Sequence, residues 1–402
     1  ARYIMTRMRD LGFISQNEYE EALAQEITFI EQVDEGIKAP HFVFYTLERL
    51  REEIDSDTND FSRGGYQIHT TLDWELQQEV EEVVARQAER VAEAYQASNV
   101  AVVVIENKTG KIRAMVGSKD YFADDIDGKF NITTALRQPG STFKPFVYAT
   151  AFSKGYLPET VLWDAPTEFS QACYPDGEPK SGSTEDDCYA PQNYDNSFRG
   201  PINLRSALAQ SLNLPAVKLL YLVGVSDAME IAKSLGITSL NKSPSFYGLN
   251  LVLGGGEVRM IDMAQAYGTF ANEGVRVSTA SWEEVLDKEG EELYGYEIEE
   301  EQVLDAQIAR MINDILSDND AKRPMFGANS PLYYTDRDVA VKTGTTNNFR
   351  DVWTAGYSSD VTVVVWAGNN DNTPIAKSPS SSVVGPFWRD VMDVALGYYE
   401  SQ

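Results

Sequence analysis

Two groups of β-forming segments near opposite ends of the chain constrain its fold most strongly. The first group, NVAVVVIENKTGKIRAMVGS from Asn99, has two apolar runs joined by a turn in which Gly110 supplies the positive φ of a tight hairpin. The second group comprises DVAVKTG, DVWTAGYS and VTVVVWAGNN, which together predict a three-stranded antiparallel meander. Helical patterns and loops rich in Gly and Pro lie between the groups. We therefore predict one mixed α/β domain whose two ends meet in a single sheet.

The segment before this domain is predicted to be mainly helical. Ser15 and Glu18 have the spacing of a capping box at the start of a helix. YQIHTTL alternates like a strand, and apolar residues at helical spacing follow from Asp73. At the other end, FWRDVMDVALGYYE predicts a final helix.

Composition and charge narrow the functional classes. The 402 residues carry a formal net charge of −28, which argues against binding to nucleic acid or to an anionic membrane surface. No apolar run reaches the roughly 18 residues that a membrane span needs. The chain starts without an initiator methionine or a signal peptide, so we expect it to be part of a longer protein.

Two cysteines, Cys173 and Cys188, flank a polar, turn-rich segment. A disulfide between them would close this loop and stabilise it by roughly 3 kcal/mol. We favour that pairing, which would place the protein in an oxidising compartment, over two unpaired thiols.

A serine and a lysine in LRQPGSTFKPF are the first candidate catalytic residues. Ser141 and Lys144 are three positions apart at the predicted start of a helix, so they share a face of it. The chain has only two histidines, His41 and His69, which we interpret as scaffold residues. A lysine shielded from water has a lowered pKa, and its neutral amine can take the serine proton. Pro145 is tolerated in the first helical turn.

The second candidate motif is Ser211-Leu212-Asn213 in LAQSLNLPAVKLL. One helix runs into Ser211 and the next begins near Pro215, which predicts a tight interhelical loop where Asn213 could adopt left-handed geometry. Such a loop presents a hydroxyl and an amide to a substrate. Helix capping alone is the alternative.

The third candidate motif is Lys342-Thr343-Gly344 at the end of an apolar strand, followed by Thr345. Gly344 leaves room for another backbone, Lys342 supplies a charge, and the threonines offer hydroxyls. Such a strand edge suits an extended peptide and its terminal carboxylate. The backbone N–H groups of Ser141 and Thr345 could form an oxyanion hole.

Each motif also has a second copy in an unsuitable context. The copy of K-T-G forms the first hairpin turn, no helix follows the copy of S-x-x-K, and the S-x-N copy at Ser317 ends a helix and is interpreted as its polar C-terminus. The copies are Ser239–Lys242, Ser239–Asn241, Ser317–Asn319 and Lys108–Gly110.

The ordered set S-x-x-K, S-x-N and K-T-G resembles the active-site motifs of penicillin-binding proteins and β-lactamases. RQPGSTFKPFVYATAF, APQNYDNSFRGPINLRSALAQSLNLPAVKL, LGGGEVRMIDMAQAYGTFANEGV and VKTGTTNNFRDVWTAGYS resemble the transpeptidase domain of class A, bifunctional penicillin-binding proteins. The opening RMRDLGFISQNEYEEAL is similar to the tail of their glycosyltransferase domain. The resemblance implies the α/β (α+β) β-lactamase/transpeptidase-like fold: a central antiparallel sheet flanked by helices, with a helical subdomain and a small N-terminal linker region.

The resemblance also implies domain boundaries and residue roles. Residues 1–60 would be the glycosyltransferase tail and linker, 61–98 a linker strand and helix, and 99–402 the transpeptidase domain. Ser141 would be the nucleophile, Lys144 its general base and Ser211 the proton donor to the leaving amine. The substrate-binding residues would be Asn213, Lys342, Thr343, Gly344 and Thr345.

By the same resemblance, the chain would be a serine D,D-transpeptidase that needs neither metal nor cofactor. Its partners would be D-Ala-D-Ala donor stems, an amine acceptor on another stem and β-lactams, with regulators of cell-wall synthesis as further candidates. It would act outside the cytoplasm, anchored to the membrane through an upstream segment. A D,D-carboxypeptidase, a β-lactamase and a β-lactam sensor of the same fold are the alternatives.

Overall fold

The computed structural model describes residues 2–24, 36–53 and 65–401. The chain divides into two compact units, Ala1–Lys38 and Ala39–Gln402. The first unit contains helices α1 (Arg2–Asp10) and α2 (Gln16–Ala24). The Ser15 N–H donates to the Glu18 carboxylate at 2.7 Å and the Glu18 N–H donates to Ser15 Oγ at 3.2 Å, which confirms the capping box. The boundary expected at residue 60 and the helical pattern over 25–35 lie outside the described residues.

The second unit alternates between helices and short strands. Its helices are α3 (Pro40–Glu53), α4 (Trp74–Tyr95), α5 (Lys144–Ser153), α6 (Leu204–Ala209), α7 (Asn213–Val223), α8 (Val225–Ser234), α9 (Pro244–Tyr247), α10 (Met260–Ala271), α11 (Ala306–Ser317), α12 (Asn319–Phe326), α13 (Ser380–Val383) and α14 (Gly385–Ser401). Its strands are β1 (Gln67–Thr70), β2 (Asn99–Glu106), β3 (Ile112–Val116), β4 (Val161–Asp164), β5 (Gly200–Asn203), β6 (Val275–Val277), β7 (Trp282–Leu286), β8 (Glu292–Gly295), β9 (Glu300–Gln302), β10 (Ala340–Thr345), β11 (Asp351–Tyr357) and β12 (Val361–Gly368).

The largest sheet joins the two ends of the domain. Its strand order is β10-β11-β12-β2-β3, and every neighbouring pair is antiparallel. The last strand of the meander pairs with the first strand of the early hairpin along its whole length, from Val361 opposite Glu106 to Gly368 opposite Asn99. The predicted hairpin, meander and single sheet are therefore confirmed, and Gly110 has the expected positive φ of 69°.

The central strand β2 is buried on both faces, which explains its uninterrupted apolar sequence. Successive strand residues point to opposite faces of a sheet. Accordingly Val103 and Ile105 pack in a core with α5, α7, α10 and α11, while Val102 and Val104 pack in a second core with α4 and α14. Helices thus cover both faces of the sheet, as the family resemblance implies.

Helix α5 is the buried element that begins with Lys144 of the first candidate motif. Every residue from Lys144 to Phe152 is buried, because the helix packs against α7, α8 and α11 and not against solvent. Pro145 sits in its first turn, where its missing N–H costs no intrahelical bond. Among the described residues, no helix has the length and apolarity required to cross a lipid bilayer.

Candidate active site

Ser141 lies on a short 3-10 turn, Gly140–Phe143, that leads into α5. The helix proper begins at Lys144 and not at the serine, because the Lys144 N–H bonds to Ser141 O in the tighter pattern. Gly140 has a φ of 56°, and a Cβ there would lie 2.6 Å from Thr345 O. Likewise a Cβ on Gly344 would lie 2.3 Å from Pro139 O. Two glycines therefore allow the serine turn to pack directly against strand β10, as predicted for Gly344.

Lys144 is completely buried at the base of the site. Its Nζ donates to Ser211 O at 2.6 Å and to Asn213 Oδ1 at 2.8 Å. Burial, reinforced by the charge of Lys342, lowers the pKa of Lys144 well below its usual value. The lysine thus holds together the first two motifs, which are far apart in sequence.

The Ser211–Asn213 loop connects α6 and α7 as predicted, but its strained residue differs from the expected one. Ser211 adopts the left-handed region with a φ of 58°, whereas Asn213 starts α7. A non-glycine residue in this region costs of order 1 kcal/mol and is typical of functional sites. The loop is fixed from outside, since Asn193 Oδ1 accepts from the N–H groups of Asn213 and Leu214 at 2.9 and 3.1 Å.

Strand β10 supplies the other side of the site. Lys342 Nζ donates to Ser211 Oγ at 2.6 Å and to Thr343 O at 2.9 Å. Burial lowers the pKa of Lys342 to about 7, and the charge of Lys322 acts in the same direction. Thr345 Oγ1 accepts the Ser380 N–H at 3.2 Å, which ties the strand end to α13.

The motifs converge on one cavity of about 250 Å³, which we call the active-site cavity. Its lining includes Ser141, Ser211, Asn213, Thr343 and Thr345. Lys144 and Lys342 lie beneath this lining and bond to the Ser211–Asn213 loop. All three predicted motifs are therefore brought together, and their second copies are not: Lys108–Gly110 forms the hairpin turn and Ser317 ends α11.

Cys173 and Cys188 are joined by a disulfide, with 5.5 Å between their Cα atoms. They lie in the segment between β4 and β5, which also carries Asn193. Asn193 Nδ2 donates to both oxygens of the fully buried Asp164 at 3.0 Å. The disulfide segment thus supports the Ser211–Asn213 loop but contributes neither cysteine to the cavity lining.

Two residues that act on the site from outside the cavity, Asn193 and Lys322, could not be identified from the sequence. Asn193 lies in APQNYDNSFRG, where nothing in the local pattern distinguishes it from the neighbouring polar residues. Lys322 on α12 is 2% exposed and its Nζ has no hydrogen-bond partner among the described residues. Burial lowers its pKa to about 7 although Asp318 opposes the shift. The effect of this lysine on Lys342 depends on where folding places α12, which packs on α6, and no local sequence pattern indicates that position.

Sequence comparison with known proteins identifies relatives that share the family indicated by the three motifs. The penicillin binding protein transpeptidase domain family matches residues 100–393. Penicillin-binding protein 1A of Neisseria lactamica is 33% identical over 303 residues, 74% of this chain and 36% of the relative. Penicillin-binding protein 2D of Bacillus subtilis is 29% identical over 98% of this chain and 54% of its own length. The chain therefore spans about a third to a half of these relatives.

Solved structures show the same fold. The crystal structure of penicillin-binding protein 1A from Haemophilus influenzae superposes with a TM-score of 0.76 at 20% identity, covering 98% of this chain and 75% of that one. PonA1 from Mycobacterium tuberculosis, in complex with penicillin V, gives a TM-score of 0.73 at 23% identity, covering 89% of this chain and 94% of that one. The family match covers most of the chain, and the relatives above are penicillin-binding proteins. The chain therefore belongs to the penicillin-binding protein transpeptidase family and corresponds to the transpeptidase region of its class A members.

Proposed function

We propose that this chain is a peptidoglycan D,D-transpeptidase that works through an acyl-enzyme on Ser141. The observation that carries the proposal is the buried Lys144, whose Nζ bonds to both Ser211 O and Asn213 Oδ1 beneath the cavity that Ser141 lines. A neutral amine has two N–H groups and one lone pair. Since two acceptors occupy its N–H groups, the lone pair is free to accept the Ser141 proton.

In the acylation step, Ser141 Oγ attacks the carbonyl carbon of the penultimate D-Ala of a donor stem. Its proton passes to Lys144, and the C–N bond to the terminal D-Ala breaks. The leaving amine takes a proton from Ser211 Oγ, which Lys144 replenishes. The contact of 2.6 Å between Lys342 Nζ and Ser211 Oγ supports this role, because the lysine orients the hydroxyl that must donate.

The remaining residues would hold the donor. Thr343 and Thr345 line the cavity and can bond the donor carboxylate, aided by the charge of Lys342. The Asn213 amide would bond a peptide group of the donor. The backbone N–H groups of Ser141 and Thr345 would stabilise the developing oxyanion, because Gly140 brings the two backbones together. β-Lactams would acylate the same serine.

The natural site of action would be outside the cytoplasm, where peptidoglycan is assembled. The Cys173–Cys188 disulfide supports this location, because such bonds persist in oxidising compartments. A membrane anchor and a glycosyltransferase domain ahead of residue 1 stay predictions.

Labelling with a fluorescent penicillin, followed by mass spectrometry of the adduct, tests the proposal. We expect a single adduct on the peptide that contains Ser141. Ser141→Ala should abolish labelling, and Lys144→Ala should reduce the labelling rate by about 100-fold or more because the general base is lost.

The second copies of the motifs provide matched controls. Ser317→Ala and Lys108→Ala alter residues at a helix end and in an exposed hairpin turn, so they should label at the wild-type rate. Labelling that survives Ser141→Ala, or an adduct on another peptide, would contradict the proposal. Donor hydrolysis that is unaffected by an amine acceptor would instead indicate a D,D-carboxypeptidase.

A further inference from the structure

A third buried lysine lies behind the wall of the active-site cavity. Lys322 is on α12, and Met325 and Phe326, three and four positions later on this helix, both line the cavity. Residues at this spacing share one face of a helix, so Lys322 belongs to the face of α12 that is turned towards the cavity. The lysine itself is 2% exposed and does not line the cavity. Any effect of Lys322 on the site is therefore transmitted through other residues.

Helix α12 is held between two parts of the site. Met325 packs against the cluster that contains Leu212, the middle residue of the Ser211–Asn213 loop. At the start of the helix, Asn319 Nδ2 donates to Tyr334 O at 2.6 Å, in the segment that leads into β10. The helix thus contacts the loop of the second motif and the segment before the strand of the third motif.

The ammonium group of Lys322 forms no ion pair with any described residue. Its Nζ makes no hydrogen bond to them either, and it lies 6.0 Å from the centre of the Tyr333 ring. The carboxylate that acts on it, Asp318, is already engaged, because it caps the first turn of α12 and pairs with Arg205 at 3.3 Å. Burying a cation without a partner costs free energy. Packing alone therefore does not explain a lysine at this position.

The group of the active site on which Lys322 acts is Lys342. Burial lowers the pKa of Lys342 to about 7, and the charge of Lys322 acts in the same direction. Burial also lowers the pKa of Lys322 to about 7, although Asp318 opposes this shift. Two interacting groups lose their protons in coupled steps, so the charge of each makes the proton of the other easier to lose. Since Lys342 Nζ donates to Ser211 Oγ at 2.6 Å, a change at Lys322 reaches the second motif.

We propose that Lys322 is a positioning residue that acts through Lys342, an inference that rests on the proposed function. Its charge repels that of Lys342 and so limits the pH range over which Lys342 holds Ser211 and the donor carboxylate. When Lys322 gives up its proton, the repulsion ends. Lys342 then keeps its charge to a higher pH than it would beside a permanent cation.

The pH dependence of penicillin acylation tests this role. The second-order rate constant is measured between about pH 5 and pH 10 for the wild type, Lys322→Met and Lys322→Arg. Methionine has a long side chain without a charge, so the alkaline decline should move up by about 1 pH unit. Arginine stays charged throughout, so the decline should occur at or below the wild-type pH. The acid limb should stay in place, because Lys342 is charged there in every variant.

Two further measurements separate charge from packing. Urea unfolding of Lys322→Met should need more denaturant than the wild type, because an apolar side chain replaces an unpaired buried cation. In a Lys342→Arg background, whose guanidinium keeps its charge, adding Lys322→Met should leave the pH profile unchanged. Arg323→Met is the matched control, because it removes an exposed cation, paired with Asp320, from the same helix. It should keep the wild-type pH profile.

Three results would overturn the role of Lys322. One is an alkaline decline at the same pH in Lys322→Met and the wild type, and another is a wild-type rate that does not decline at alkaline pH. The third is an equal shift in Lys322→Met and Lys322→Arg, which would assign the effect to side-chain packing. A wild-type protein that penicillin never acylates would instead contradict the proposed function itself.

Discussion

At the scale of single residues, the proposed acylation depends on which of three buried lysines carry a charge. Lys144, Lys342 and Lys322 are all nearly inaccessible to water, and burial lowers the pKa of each. Each charge also makes the next one harder to maintain, since Lys322 acts on Lys342 and Lys342 acts on Lys144. Burial and the charge of Lys342 both lower the pKa of Lys144, which is the lysine that would have to be neutral under the proposed mechanism.

Under the proposed mechanism, this arrangement gives acylation a definite pH dependence. As the pH falls through the pKa of Lys144, the amine becomes protonated and can no longer accept the Ser141 proton. As the pH rises through about 7, Lys342 loses the charge that we propose orients Ser211 and the donor carboxylate. We therefore expect the rate of penicillin acylation to decline on both sides of an optimum, measured between about pH 5 and pH 10.

The variant Lys342→Arg tests whether Lys342 causes the fall in acylation rate at alkaline pH. A guanidinium keeps its proton to above about pH 12, so the decline above neutrality should disappear even if the maximal rate is lower. An alkaline decline that is the same in Lys342→Arg as in the wild type would show that a different group titrates.

At the scale of elements, the site depends on the close approach of strand β10 to the turn before α5. Only residues without a Cβ permit this approach at Gly140 and Gly344, and the nearest neighbouring atoms are backbone atoms that cannot rotate away. The strand and the turn therefore act as one rigid edge of the active-site cavity.

Gly344→Ala tests this contact. The new Cβ would lie 2.3 Å from Pro139 O and 3.1 Å from Thr142 N, so strand and turn must separate. We expect acylation by penicillin to fall by about 100-fold, since a displacement of about 1 Å between reacting groups has that effect. Urea unfolding should show a loss of roughly 1–3 kcal/mol.

Gly397→Ala is the control for this variant. Gly397 lies in α14, where an added Cβ would have no atom within 4 Å, and its φ is in the ordinary helical region. Acylation should be unchanged, and stability should rise by up to about 1 kcal/mol because alanine favours helix. Wild-type acylation by Gly344→Ala would show that the strand and turn tolerate separation.

At the scale of the whole molecule, the second unit contains both cores and every candidate site residue. Helix α4 precedes the expected domain start at 99, yet its buried face packs on α14 and the sheet. We propose that the folding unit starts near residue 39, while the family match itself begins at residue 100.

Two shortened chains distinguish a domain that starts near residue 39 from one that starts at residue 99. A chain of residues 39–402 should be acylated at the full-length rate, with a free energy of unfolding within about 1 kcal/mol of the full chain. A chain of residues 99–402 lacks Leu76, Val80, Val83, Val84 and Val91, each fully or nearly buried. Burial of each such side chain contributes about 1.5–3 kcal/mol.

The loss is comparable to the entire stability of a domain, about 5–15 kcal/mol. We therefore expect residues 99–402 to be unfolded by circular dichroism and not acylated. Efficient acylation of that shorter chain would instead support a boundary at 99.

The sequence by itself determined the sheet and the three motifs. The apolar run from Val100 to Ile105, its hairpin turn and the later meander follow local rules of periodicity and turn chemistry, so they could be read along the chain. The order of Ser141, Ser211 and Lys342 indicated the family for the same reason.

Only the tertiary structure decided how these residues act on one another. The bonds of Lys144 to the Ser211–Asn213 loop, the left-handed conformation of Ser211, the support from Asn193 and the burial of Lys322 all depend on long-range packing. The physical reason is that burial and electrostatic repulsion depend on which surfaces meet after folding. Residues that are separated by tens to hundreds of positions carry no local pattern that encodes such a meeting.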